Sequence, residues 1–117
     1  MPAPVAYYEL HTPDAARARA FYGELFNWSF KDLGAPSPYF EVVSGGDVPG
    51  GFATDAASPP MFLTYFHVPD LDRSIERAKA LGAKVLKPRE DIPPGSFAVI
   101  ADPQGTVLAL WQAAAKK

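Results

Sequence analysis

A chain of 117 residues, 48% hydrophobic and 21% charged, has room for one ordinary core and is neither a disordered tail nor a charged rod. Eleven Lys and Arg against thirteen Asp and Glu leave a net charge of -2, without the basic surplus a phosphate backbone requires, so nucleic acid is not an expected partner. The lack of cysteine excludes disulfide scaffolds, thiolate nucleophiles and Cys-based zinc or iron-sulfur sites.

The first Lys or Arg is Arg17, and no stretch approaches the ~20 apolar residues of a membrane span, so a cytoplasmic protein without a membrane partner is expected. Val5 to His11, apolar and aromatic on both faces, reads as the first strand. After Thr12-Pro13-Asp14, the residues Ala18, Phe21, Tyr22 and Leu25 recur at the spacing of one helix face, with Thr12 placed as cap and Pro13 at the first helical position. Phe21, Tyr22 and Phe26 are expected to be core, and Gly23 to permit close approach of the helix. Short strands follow at Trp28 to Leu33, Tyr39 to Val43 and Val48 to Thr54. Ala53 to Met61, with Pro59-Pro60, reads as a linker.

Phe62 to Val68 resembles the first strand, and Leu71 to Leu81 is a second amphipathic helix with Leu71, Ile75, Ala78 and Leu81 on one side and a stop at Gly82. Strands at Lys84 to Lys87, Phe97 to Ala101 and Thr106 to Gln112 complete the chain. The turn signal Asp102-Pro103-Gln104-Gly105 joins the last two as a hairpin.

This order repeats. Shifting Pro13-Asp14 onto Pro69-Asp70 also brings His11 onto His67, Arg17 onto Arg73 and Leu25 onto Leu81. The pattern is two copies of a βαβββ unit in one α+β domain, the first over about 1–54, a linker at about 55–61 and the second over about 62–117. Neither copy is large enough to bury its own sheet, so the two are expected to pair and share a core.

The segments ARAFYGELFNW, VPDLDRSIERAKALGAKV and AVIADPQGTVLALWQ, in this order and spacing, resemble the vicinal oxygen chelate superfamily of glyoxalases, bleomycin resistance proteins and extradiol dioxygenases. The resemblance covers nearly the whole chain. It implies paired βαβββ modules in a mixed sheet curled around a cleft, often in homodimers, with a divalent metal in many members. The ligand positions implied by the resemblance fall on Tyr7, Leu63 and Ala109, with the fourth near Phe52 or Ala53. None of these supplies an imidazole or a carboxylate, so no metal and no other cofactor is expected.

Residues two apart on a strand share a face, so Tyr7 brings Glu9 and His11 to the cleft side, Leu63 brings Tyr65 and His67, and Ala109 brings Val107 and Trp111. Such a lining suits a flat organic ligand, with Tyr7, Glu9, Tyr65, His67 and Trp111 as binding residues. Glu9 in an apolar strand reads either as a general base or ligand-orienting acceptor, or as a bond tying the two modules together. His11 is read as bonding a loop backbone. His67, behind Tyr65 on the same face, is open to a catalytic role with Glu9, or to an unusual two-His-one-carboxylate metal site with Glu9 and His11.

Three function classes follow. The chain is expected to bind a small, partly aromatic metabolite or antibiotic without metal. The alternatives are a lyase, isomerase or dioxygenase-type enzyme using Glu9 with His67 or Tyr65, and a non-catalytic interaction or regulatory module.

Overall fold

The computed structural model describes residues 2–34, 39–55 and 59–114. Two units emerge from it, one of Tyr7–Leu63 and one of Met1–Ala6 with Thr64–Lys117. Each carries a βαβββ arrangement, and the expected α+β class with two such modules is the one observed.

In the first unit, β1 (Val5–Thr12) is followed by α1 (Ala15–Phe26), β2 (Ser29–Asp32), β3 (Tyr39–Val43) and β4 (Gly50–Thr54). The strand order is β2-β3-β4-β1, with β2, β3 and β4 antiparallel and β1 parallel to β4. Alternation along β1 sends Leu10 toward α1, where it packs with Ala15, Phe40, Val42 and Phe52. Phe52 is wholly buried, worth about 1.5–3 kcal/mol. Tyr8, on the same side, lies over Gly50, where any Cβ would overlap its ring.

The helix begins two residues later than expected. Asp14, rather than Thr12, is the cap: its Oδ1 accepts from the Arg17 N–H at 3.0 Å, while Thr12 Oγ1 accepts from the Asp14 N–H at 3.2 Å. Pro13 therefore precedes the cap and is not the first helical residue. Ala18 and Tyr22 reach the sheet, and Gly23 lies close to the Trp28 carbonyl, as a close approach requires. Phe21, Leu25 and Phe26 are not core: they are 58%, 59% and 51% exposed. A four-stranded sheet accommodates only one side of the helix, and Phe21 and Leu25 lie outside it.

In the second βαβββ module, β5 (Met61–His67), of which Thr64 onward belongs to the second unit, leads to α2 (Leu71–Ala80), β6 (Lys84–Ile92), β7 (Gly95–Ala101) and β8 (Val107–Ala113). β8 pairs with β5 in parallel and with β7 antiparallel, and β6 is at the edge. Leu71, Ala98, Ile100 and Leu110 form the core, with Ile75 and Ala78 of α2 packed on it. Leu81, expected on the inner side, is exposed beyond the end of α2. Asp70 caps α2 by accepting from the Arg73 N–H at 3.1 Å, the counterpart of Asp14. Gln112 Oε1 accepts from the Leu71 N–H at 2.7 Å and fastens the same end to β8.

The Asp102 turn closes the β7-β8 hairpin as expected: the Gly105 N–H donates to the Asp102 carbonyl at 2.9 Å. The Asp102 carboxylate accepts from the Thr106 and Gln104 amides, which holds its carboxyl below the usual range. β6 runs five residues past the expected Lys87, as far as Ile92. The second of its two register shifts, between Lys87 and Glu90, absorbs Pro88, which an edge strand tolerates. At the other junction Ala53 and Thr54 belong to β4, and residues 56–58 of the expected linker lie outside the described residues.

Candidate functional site

The sheet face opposite α1 in the first unit carries Tyr7, Glu9 and His11 from β1. Register places Glu9 opposite Gly51, Glu41 of β3 on the other side of Gly51, and both His11 and Tyr39 opposite Ala53. Gly51 gives this face a bare floor. Tyr7 from one side and Tyr39 from the other bring their hydroxyls over it, where any Cβ would overlap both.

The polar groups form one chain. Tyr39 Oη donates to Glu9 Oε2 at 2.7 Å, and the Tyr7 and Tyr39 hydroxyls bond each other. Proton direction follows from valence. An ionised carboxylate only accepts, so Tyr39 gives its single proton to Glu9 and Tyr7 donates to Tyr39. Beyond Glu9, its Oε1 lies 2.8 Å from His11 Nε2, and His11 Nδ1 lies 2.6 Å from Asp55 Oδ2 at the end of β4. The Nε2 contact is one of charge, not an aligned hydrogen bond.

These neighbours set the charge states. The Glu9 carboxylate, reinforced by Asp55 and opposed by partial burial, raises His11 from 6.5 to about 9, so the imidazole is a cation at neutral pH. Burial, with Glu9 and Glu41 nearby, pushes the Tyr7 phenol up to about 12 against the opposing pull of the Tyr39 bond. Burial, then the charge of Glu9, pushes the Tyr39 phenol further up still. Both phenols remain protonated donors.

In the second unit Tyr65 lies opposite Ala109, and His67 opposite Trp111, which also faces Phe97. The Tyr65 and Phe97 rings are 6.0 Å apart, Lys87 Nζ stands 5.1 Å over Phe97, and Trp111 lies against Gly95. This face is aromatic where its counterpart is ionic: the shift that brings His11 onto His67 brings Glu9 onto Tyr65.

Tyr7, Glu9 and His11 are thus brought together, and in the second module Tyr65, His67 and Trp111 share one sheet face. His11 does not bond a loop backbone as expected: both its nitrogens face carboxylates. The Glu9 contacts to Tyr39 and His11 lie within its own module. Sequence reasoning missed Tyr39 and Asp55. The signal for Tyr39 was the Gly50-Gly51 pair inside a strand, which marks a close approach by neighbouring side chains. Asp55 stands one residue past β4 and carries no comparable signal.

The metal of the superfamily does not fit these residues. At the implied ligand positions Tyr7 is bonded to Tyr39, Leu63 and Ala109 are buried aliphatics, and Phe52 is in the α1 core beside Ala53. Among the described residues no group of three or more His, Asp or Glu is arranged to hold a metal ion.

A family model for the glyoxalase-like domain matches residues 8–111. Among curated proteins, the chain is 30% identical over 116 residues to "Putative glyoxylase CFP32" of Mycobacterium tuberculosis, covering 92% of this chain and 44% of that protein. It is 28% identical over 130 residues to "Anthracycline biosynthesis protein DnrV" of Streptomyces peucetius, covering 95% and 47%. The chain therefore spans about half the length of these relatives. Among solved structures, methylmalonyl-CoA epimerase from Mycobacterium tuberculosis has a TM-score of 0.67 at 13% identity, covering 96% of this chain and 89% of that one, a likeness of fold alone. With the family model matched along most of its length and two βαβββ modules in the chain, the chain belongs to the glyoxalase-like domain family of the vicinal oxygen chelate superfamily.

Proposed function

We propose that this chain binds a small, partly aromatic metabolite or antibiotic, and that the open face of its first module orients the ligand without transferring protons. The observation that carries this reading is the chain from Tyr7 through Tyr39, Glu9 and His11 to Asp55. A general acid or base works best when its pKa lies near the operating pH. Here His11 is lifted to about 9 and Tyr7 to about 12. Groups held so far from neutrality act as fixed charges and donors, which is what orientation of a ligand needs. The name of the Streptomyces relative, which refers to the biosynthesis of an aromatic antibiotic, agrees with such a ligand. On the second module's own sheet face, Tyr65, His67 and Trp111 are proposed as binding residues whose rings supply apolar contact and a polar tip.

A second reading is a lyase or isomerase acting through Glu9, and the hydrogen bond from Tyr39 on one side of that carboxylate with the His11 ion pair on the other favours it. Titrating an anthracycline by its own fluorescence, with mass spectrometry of any copurifying molecule, separates the two. Binding without consumption, weakened at least tenfold in Glu9→Gln and in Trp111→Ala, is the expected result. Steady consumption of the bound molecule, lost in Glu9→Gln, would replace binding by catalysis. Affinities equal to wild type in both variants would remove the site from these faces.

A further inference from the structure

We infer, resting on the ligand binding proposed above, that the aromatic face of the second module takes a flat ring system bearing an ionised carboxylate, and that Lys87 is the residue that selects the acid. Residues three apart on a regular strand point to opposite faces, which would put Lys87 and Glu90 on opposite sides of the sheet. In β6 they share one side. Lys87 lies opposite Val99 and Glu90 opposite Phe97, and these two partners are two apart on β7. The extra residue in β6 is taken up as a bulge at the register shift that contains Pro88. Both side chains are thereby aimed to the face of Phe97, where Lys87 Nζ lies 2.8 Å from Glu90 Oε1 and stands 5.1 Å over the Phe97 ring. Re-aiming a side chain beside a site is what such bulges commonly do.

The surroundings of this ammonium are aromatic. Tyr65 and Phe97 have ring centroids 6.0 Å apart, and Trp111 lies opposite Phe97 with its indole directly against Gly95. Both members of the Lys87–Glu90 pair are about half exposed, so the pair itself contributes little and Lys87 can exchange its partner with small loss. A flat ligand resting on the rings shields the ammonium from water, and its attraction for an anion grows as the local dielectric falls. An ammonium has three N–H donors and accepts nothing. Glu90 engages one side of it, and a carboxylate at the ligand's edge takes the donors that remain. Glu90 thus holds the ammonium over the ring while the face is empty and opposes the acid, as a like charge, once it is bound.

The test is equilibrium dialysis of the full chain against 2-naphthoate and against 2-naphthamide, which has the same shape without the charge. Wild type should hold the acid about fivefold more tightly than the amide, a modest ratio because the ammonium is half exposed before the ligand arrives. Lys87→Met keeps an unbranched stem over Phe97 and removes the charge, so the acid should fall to the affinity of the amide while the amide binds as before. Glu90→Gln should strengthen binding of the acid and leave the amide unchanged. Equal affinities for the two probes in wild type overturn the role of Lys87 while keeping the aromatic face as a binding site. So does a preference for the acid that survives Lys87→Met, or an acid affinity that Glu90→Gln lowers. If neither probe binds, or if Trp111→Ala leaves both affinities unchanged, the ligand-binding face itself is refuted and the role of Lys87 falls with it.

Discussion

Replacing Glu9 by Gln removes the charge that holds both His11 and Tyr39 while keeping the side chain's shape. Two losses are expected. The rise of His11 from 6.5 to about 9 would be worth roughly 3 kcal/mol if fully expressed as stability. The side chains of His11 and Asp55 are 22% and 43% exposed, and Asp55 stays in place, so solvent screening and the remaining partner reduce the loss to about 1–2 kcal/mol. The Tyr39 bond persists to the amide oxygen but without charge assistance, a further loss of about 1 kcal/mol. The sign of the pH dependence follows from the raised pKa. Stability from His11 is fully present below its unfolded value of 6.5 and is lost as pH rises through about 9. Urea unfolding should therefore show wild type about 2–3 kcal/mol more stable than Glu9→Gln near pH 6, narrowing to about 1 kcal/mol near pH 9.5. In the same variant, an NMR titration should move His11 down toward its ordinary value. A gap that stays constant over this range, or a His11 titration unchanged by the substitution, refutes the described coupling.

Gly51→Ala should cost about 1–3 kcal/mol in urea unfolding, because a Cβ there collides with both tyrosine hydroxyls, and Tyr7→Phe made in that background should cost little more. An additional loss equal to that of Tyr7→Phe alone would show that the pair survives. Treatment with a chelator should leave the melting temperature unchanged and elemental analysis should find no stoichiometric Ni, Zn, Fe or Mn, since Leu63 and Ala109 stand at positions where the superfamily places donors. About one transition metal per chain would contradict this.

The helices and strands were legible because their boundaries are written in local chemistry: Asp70 and Gly82 bracket α2, and Asp102 with Gly105 makes the last hairpin. The start of α1 was misjudged because Thr12 and Asp14 are both competent caps and only the observed Arg17 bond separates them. Phe21, Leu25 and Phe26 looked like core because periodicity shows that a helix is apolar but not how wide a surface covers it. In the candidate site, alternation along β1 placed Tyr7, Glu9 and His11 on one face. The identity of their partners depends on the register of β1 against β4 and of β4 against β3, which no local pattern encodes. The sequence left Glu9 open as a base, a ligand-orienting acceptor or a tie between the modules, and the two neighbours that register supplies make it the centre of a network within its own module.

The parallel pairing of β1 with β4 also fixes when the site comes into being. β2, β3 and β4 follow one another as an antiparallel meander, so their contacts are local and quick to form. β1 reaches β4 only by closing a loop of about forty residues, as between Tyr8 and Gly50, which costs more chain entropy than any hairpin in the unit. Until that closure Tyr39 and Gly51 are in place without Tyr7, Glu9 or His11. The entropy of that closure predicts that the network forms late in folding, so that a nascent chain with only its meander complete would have no site to offer a ligand. A ligand that needs the whole network consequently acts on the final closure alone, slowing the departure of β1 without hastening the meander that precedes it.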